Sequence, residues 1–178
     1  MHATFVDIEN EFGELEEEVV RLARFLQRIG QADPSPDIQS SWEAVHVCAS
    51  ATEKIYTGCE RIMARLASEV DRAPLAHADG WHTALLRRMA HPFPDVRKAV
   101  ISDDCYRRLD RLRAFRHRER NAYGTHLDFD IVVERSLEAV TAFDIFRRDV
   151  RLFFAVRQTD DRNDQAPASE PEGGAPSG

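Results

Sequence analysis

Between Cys105 and Arg120 the chain sets seven arginines against two carboxylates, Asp110 and Glu119, a local charge of +5 within a protein of net charge −7. The run contains no lysine. A guanidinium is a planar fork of donors that matches a phosphate bidentately, whereas an ammonium is a compact point charge. Arginine at this density points to a phosphate-bearing partner. His117 lies inside the run. Histidine is the side chain that most readily exchanges protons near neutral pH.

A helical period of about 100° per residue gathers these groups. With Arg116 as origin, Arg120 falls near 40°, Arg113 near 60°, His117 near 100° and Asn121 near 140°, one contiguous polar arc by the same period. Tyr123 borders the arc. Leu112 and Phe115 fall on the apolar side, and Leu109 falls in line with Arg116. The plain alternative is a solvated basic face of a bundle helix. Few carboxylates stand four residues away, however, and like charges at that spacing destabilise a helix by tenths of a kcal/mol each. The cluster therefore needs a counterion, either a carboxylate from elsewhere in the fold or a phosphate ligand.

The elements that must carry this strip are helical. Phe5, Ile8, Phe12, Leu15, Val19, Leu22, Leu26 and Ile29 alternate spacings of three and four, one apolar seam that ends where Gly30 could stop a helix. The stretch "QADPSPD" is a loop, because Pro34 and Pro36 cannot continue a helix. A second helix is predicted from near Asp37 or Ser40 to about Val70, with Trp42, Val45, Ala49, Ile55, Tyr56, Cys59, Ile62, Met63 and Leu66 on its apolar positions. "WHTALLRRMA" reads as a short helix bearing Trp81, Leu85 and Met89 on one side. Ser102 can cap the arginine helix, with Asp103 and Asp104 in its favourable first turn, and that helix is expected to end near Gly124. Asp128 can cap a last helix containing Val132, Val140, Phe143, Phe146, Val150 and Phe153.

Strand alternation and hairpin turns are missing. The expected fold is all-α, an antiparallel bundle of four long helices plus one short helix, in a single domain over 1–157. Residues 158–178 hold five carboxylates, one arginine and no large apolar side chain, so they are expected to form a disordered acidic tail. No apolar run approaches the ~20 residues of a membrane span, and the acidic start lacks the layout of a signal peptide. Cys48, Cys59 and Cys105 form an odd set without a C-x-x-C pair, which fits reduced core thiols in a cytoplasmic protein.

The string "FRHRERNAYGTHLD" resembles the signature of the HEPN superfamily, in particular the HepT-like ribonuclease toxins. "ATEKIYTGCERIMARLASEVD", "WHTALLRRMA" and "VISDDCYRRLDRLRAFRH" resemble the same family in the same order, so the likeness spans roughly Glu43 to Phe146. The resemblance implies a four- to five-helix bundle that forms homodimers. It also implies metal-independent RNA cleavage by an arginine and a following histidine in a cleft at the dimer interface. The family is commonly paired with a nucleotidyltransferase antitoxin, which in some members adds AMP to a tyrosine two residues after that histidine.

The most natural match puts the family arginine at Arg116 and the tyrosine at Tyr123, a modification site on this reading. It puts Asn121, not a histidine, at the acid/base position. Asparagine cannot act as a general base near neutral pH. Arg111 with His117, and Arg120 with His126, also satisfy the family spacing. His117 is favoured as the acid/base group, His126 is the alternative, and a non-cleaving member that binds nucleotide or a nucleotidyltransferase remains open. The expected catalytic set is Arg116, His117, Arg120 and Asn121, with Arg111, Arg113 and Arg118 binding RNA. The chemistry expected is attack of a 2'-hydroxyl on the adjacent phosphate, leaving a cyclic phosphate, with arginines offsetting the charge that builds there.

Metals and cofactors are not expected. Glu43 and His46 form a Glu-x-x-His spacing without the second copy that a di-iron bundle requires. His82, beside Trp81, reads as a capping or core-edge histidine. A purely structural dimeric bundle is the third reading.

Overall fold

The computed structural model describes the backbone of residues 2–31, 38–121 and 127–165 and, within these, all side chains except those of 2, 38–41, 117–121 and 160–165. Among the described residues the chain forms five helices and no strand: α1 (His2–Gln31), α2 (Ile38–Glu69), α3 (Trp81–Ala90), α4 (Asp103–Asn121) and α5 (Phe129–Gln165). This is the expected all-α bundle, with α3 as the short member. The proline loop around Pro34 and Pro36 and the stretch holding Tyr123, Gly124 and His126 lie outside the described residues. The expected tail begins at Gln158; α5 runs on to Gln165, and 166–178 lie outside the described residues.

Cross-helix pairs fix the helix directions. Arg65 near the end of α2 reaches Asp7 and Glu11 near the start of α1, whereas Lys54 reaches Glu18. Residue numbers fall on one helix as they rise on the other, so α1 and α2 are antiparallel. Arg151 with Glu9 and Arg147 with Glu16 set α5 antiparallel to α1 in the same way. Ser102 with Asp149 and Arg111 with Glu138 set α4 antiparallel to α5. Thus α2 and α5 run one way and α1 and α4 the other. Among the described residues α1 touches α2 and α5 but not α4.

The apolar seam of α1 is buried as its spacing predicts, with Ile8, Phe12, Leu15, Val19, Leu22 and Leu26 in the core. Phe12 meets Phe143 and Phe146 of α5 edge-on, at centroid distances of 6.0 and 5.8 Å. Burial of each such ring stabilises by roughly 1.5–3 kcal/mol. Gly58 lets α2 close on α1, because a Cβ there would overlap the Leu15 side chain. The expected apolar positions of α2 are buried with one exception. Trp42 is 57% exposed, because its ring lies on His46 of its own helix, 4.1 Å between centroids, and not in the core. Cys48, Cys59 and Cys105 are free and buried, and burial raises all three thiol pKa values.

The expected caps form. The Cys105 amide donates to Ser102 Oγ, and Ser102 Oγ donates in turn to Asp149 Oδ2 at 2.6 Å, so the start of α4 is anchored to α5. Asp128 Oδ1 accepts from the Asp130 and Ile131 amides at the start of α5. Gly80, at φ 77°, takes the left-handed turn that opens α3.

Sequence patterning gave no hint of how the connection from α3 to α4 is held. Arg97 and Asp71 form an ion pair whose two side chains are fully buried. Arg97 Nε and Nη2 donate to the two Asp71 oxygens at 2.5 and 3.0 Å. Nη1 donates to the carbonyls of His91 and Lys98, and Nη2 to that of Arg88. One guanidinium thus holds three backbone carbonyls, at the end of α3 and in the connection, against Asp71 just past the end of α2. Arg97→Leu strands Asp71 in the core, and breaking a buried pair this way costs about 3–5 kcal/mol. Thermal unfolding should show a Tm fall of roughly 6–20 °C for a chain of this size; a fall under ~2 °C by that scale would show the pair is dispensable.

Candidate nucleic-acid interface

The arginine helix stands where three helices meet. Leu109, Leu112 and Phe115 are buried and set α4 against the core. Arg116, in line with Leu109 on the helix, is therefore drawn inward, and its side chain is only 15% exposed. It reaches α2, where Glu53, Tyr56 and Glu60 share one face. Arg116 Nε donates to Glu53 Oε1 at 3.3 Å and Nη1 to Glu60 Oε2 at 2.7 Å. Its guanidinium carbon lies 5.9 Å from the centre of the Tyr56 ring.

Glu60 is the hub. Its carboxylate is 5% exposed, and its second oxygen, Oε1, meets Nδ1 of His82 on α3. A buried carboxylate needs partners on both oxygens, and here they come from α3 and α4. Trp81 meets His82 at 4.2 Å and His77 at 4.3 Å between ring centroids, both pairs tilted, so three rings adjoin one another at the start of α3. The Tyr56 hydroxyl is buried without a hydrogen-bond partner among the described residues. Burial, and then the charge of Glu60, push its pKa far above the ordinary phenol value.

The other described arginines of the strip point elsewhere. Arg113 Nε donates to Asp110 one turn back at 2.8 Å. Arg111, on the opposite side of α4, donates from Nε to Glu138 of α5 at 2.7 Å, and Arg135 donates to the other oxygen at 2.6 Å. Arg108 pairs with Asp104. So the counterions of Arg111, Arg113 and Arg116 are carboxylates of the fold, and three of them, Glu53, Glu60 and Glu138, lie on other helices. The backbones of His117, Arg118, Arg120 and Asn121 continue α4, and their side chains lie outside the described residues, as do Tyr123 and His126.

Sequence reasoning did not single out Glu53 or Glu60, and it set His82 aside. One signal was available. Glu60 falls four residues after Tyr56 and three before Met63, a lone carboxylate on an apolar stripe. Such a residue must find partners, and they prove to be Arg116 and His82. His46, the other histidine considered, donates from Nδ1 to the Trp42 carbonyl at 2.9 Å on its own helix. Among the described residues no group of three or more His, Cys, Asp or Glu could hold a metal ion.

A family model described as HepT-like protein matches residues 47–156, more than half of the chain. The chain belongs to the HepT-like family, within the HEPN superfamily. The matched span of this HepT-like protein runs from within α2 into α5 and contains Glu53, Glu60, His82 and Arg116; α1 lies before it. No curated protein and no solved structure gives a significant match. No described helix is long and apolar enough to cross a membrane.

Electrostatics at Glu138 gives a pH test. Burial raises its pKa, but the hydrogen bonds from Arg111 and Arg135 outweigh that and hold it below the ordinary value. A depressed folded pKa contributes stability above the unfolded value, about 4.3, that is lost as pH falls through the folded one. Glu138→Gln should therefore lower Tm at pH 7, and the gap to wild type should narrow only below about pH 4.3. A gap that stays constant down to pH 3 would contradict this.

Proposed function

We propose that this HepT-like protein is the toxin-like partner of a nucleotidyltransferase antitoxin and that it binds and cleaves RNA without metal at the end of α4. Membership of the HepT-like family across α2 to α5 carries the reading. Arg116, His117, Arg120 and Asn121 form the reacting group, and Arg111, Arg113 and Arg118 contribute to RNA binding. A second copy of the chain supplies the facing half of the cleft. Tyr123 is the residue open to nucleotidylation by the partner.

In the reaction a histidine takes the proton of a 2'-hydroxyl, the oxygen attacks the adjacent phosphate, and the 5'-oxygen leaves. Arginines offset the charge that gathers on the phosphate. Arg116 has five N–H donors, of which Glu53 and Glu60 take two. Because those carboxylates offset its charge, Arg116 is best suited to short-range hydrogen bonding. Arg118 and Arg120 are assigned the longer-range attraction.

The competing reading is a silent module that binds a nucleotide or the nucleotidyltransferase. Asn121 at the acid/base position, together with carboxylates on Arg111, Arg113 and Arg116, favours it. One assay separates the two: purified protein with single-stranded RNA, in EDTA, across a salt series. Cleavage to a cyclic phosphate should persist in EDTA, and binding should fall with salt at a log-log slope of about −0.7 per phosphate contact. Arg118→Ala and Arg120→Ala should each flatten that slope by nearly one contact, and Arg116→Ala by less. Binding without cleavage selects the silent module. Absence of binding even at low salt rules out the RNA reading.

A further inference from the structure

We propose that His82 on α3 is a catalytic acid/base group of the RNA-cleaving site, oriented by Glu60; the inference rests on the ribonuclease reading above and names a residue that the arginine-helix motif does not contain.

Geometry carries it. Glu60 Oε1 meets His82 Nδ1, and Glu60 Oε2 meets Arg116 Nη1, so one carboxylate holds a histidine and the motif arginine side by side. An ionised carboxylate only accepts hydrogen bonds, so opposite ionised Glu60 the donor is Nδ1 of His82, and in the neutral ring the lone pair is then on Nε2. The His82 side chain is 34% exposed, whereas that of Glu60 is buried at 5%. The Trp81 ring lies against that of His82, tilted by 34°. A closed-in carboxylate on one nitrogen of a part-exposed imidazole is the arrangement that orients a general base and stabilises the imidazolium it becomes. It also answers a deficiency in α4, where Asn121 cannot take a proton.

The step balances within the site. His82 Nε2 takes the proton of the 2'-hydroxyl as the oxygen–phosphorus bond forms. The bond from phosphorus to the 5'-oxygen breaks, and that oxygen takes a proton from water. The products are a 2',3'-cyclic phosphate and a 5'-hydroxyl, and His82 returns its proton to solvent. Glu60 is a positioning residue, and its charge offsets that of the protonated ring.

The structural alternative is that His82 merely fastens α3 to α2, and substitutions at one position separate the two. Glutamine can still donate an N–H to Glu60 but cannot exchange a proton. His82→Gln should lose at least about 100-fold in cleavage, the range of one general acid/base group, while Tm and RNA affinity stay near wild type. In His82→Gly, added imidazole should restore cleavage. His82→Gln cleaving within about 3-fold of wild type, far inside that range, would overturn the inference while the ribonuclease reading stands. So would a folded His82→Gly that imidazole leaves inactive. A wild-type protein that binds RNA without cutting it would overturn both.

Discussion

A single buried carboxylate, Glu60, ties α3 and α4 to α2. It is enclosed by the core of α2, and both oxygens are occupied, one by a histidine of α3 and one by an arginine of α4. Remove either partner and an ionised group is left poorly solvated, which is costly. The interaction therefore constrains three helices together, and one of its members, Arg116, belongs to the cluster that the sequence marks as chemical. On the proposed reading, stability and chemistry draw on the same side chains. A guanidinium that must neutralise Glu60 and Glu53 offers less charge to a ligand than a free one.

The rest of the bundle keeps that junction in register. Arg97 and Asp71 close the connection that brings the chain from α3 to α4, and Ser102 bonded to Asp149 fixes where α4 begins. From that start about three and a half turns of helix, with Cys105, Leu109 and Leu112 buried in the core, carry Arg116 to the level of Glu60. On the far side of α4, Arg111 and Arg135 clasp Glu138 and fix the rotation of the helix. The acidic face of α1 is used separately: Asp7 and Glu11 bind Arg65, and Glu9 binds Arg151, so much of the negative charge near the start of the chain holds α1 to the bundle.

Much of this was legible in the sequence. The three-four spacing of α1, the caps at Ser102 and Asp128, and the position of α3 were all readable, because periodicity and capping are local. Trp42 misled, because spacing marks a face and cannot say whether a neighbour covers it. The arginine cluster was visible, and so was its need for a counterion. What could not be read was which counterion, since Arg116 and Glu60 are far apart in the chain and only tertiary packing pairs them. His82 was set aside for the same reason: a histidine beside a tryptophan carries no sign of the carboxylate that orients it. Glu60 alone left a trace, as a charge on an apolar stripe.

The claim that Glu60 sets the state of His82 can be measured without any substrate. Nitrogen-15 NMR of the histidine rings distinguishes the two neutral tautomers, and comparison with His82→Gln assigns the signal. The account predicts that neutral His82 carries its proton on Nδ1, and that Glu60→Leu releases it toward the mixture of a free imidazole. A His82 ring protonated on Nε2 in the wild type, or unchanged by Glu60→Leu, would contradict it.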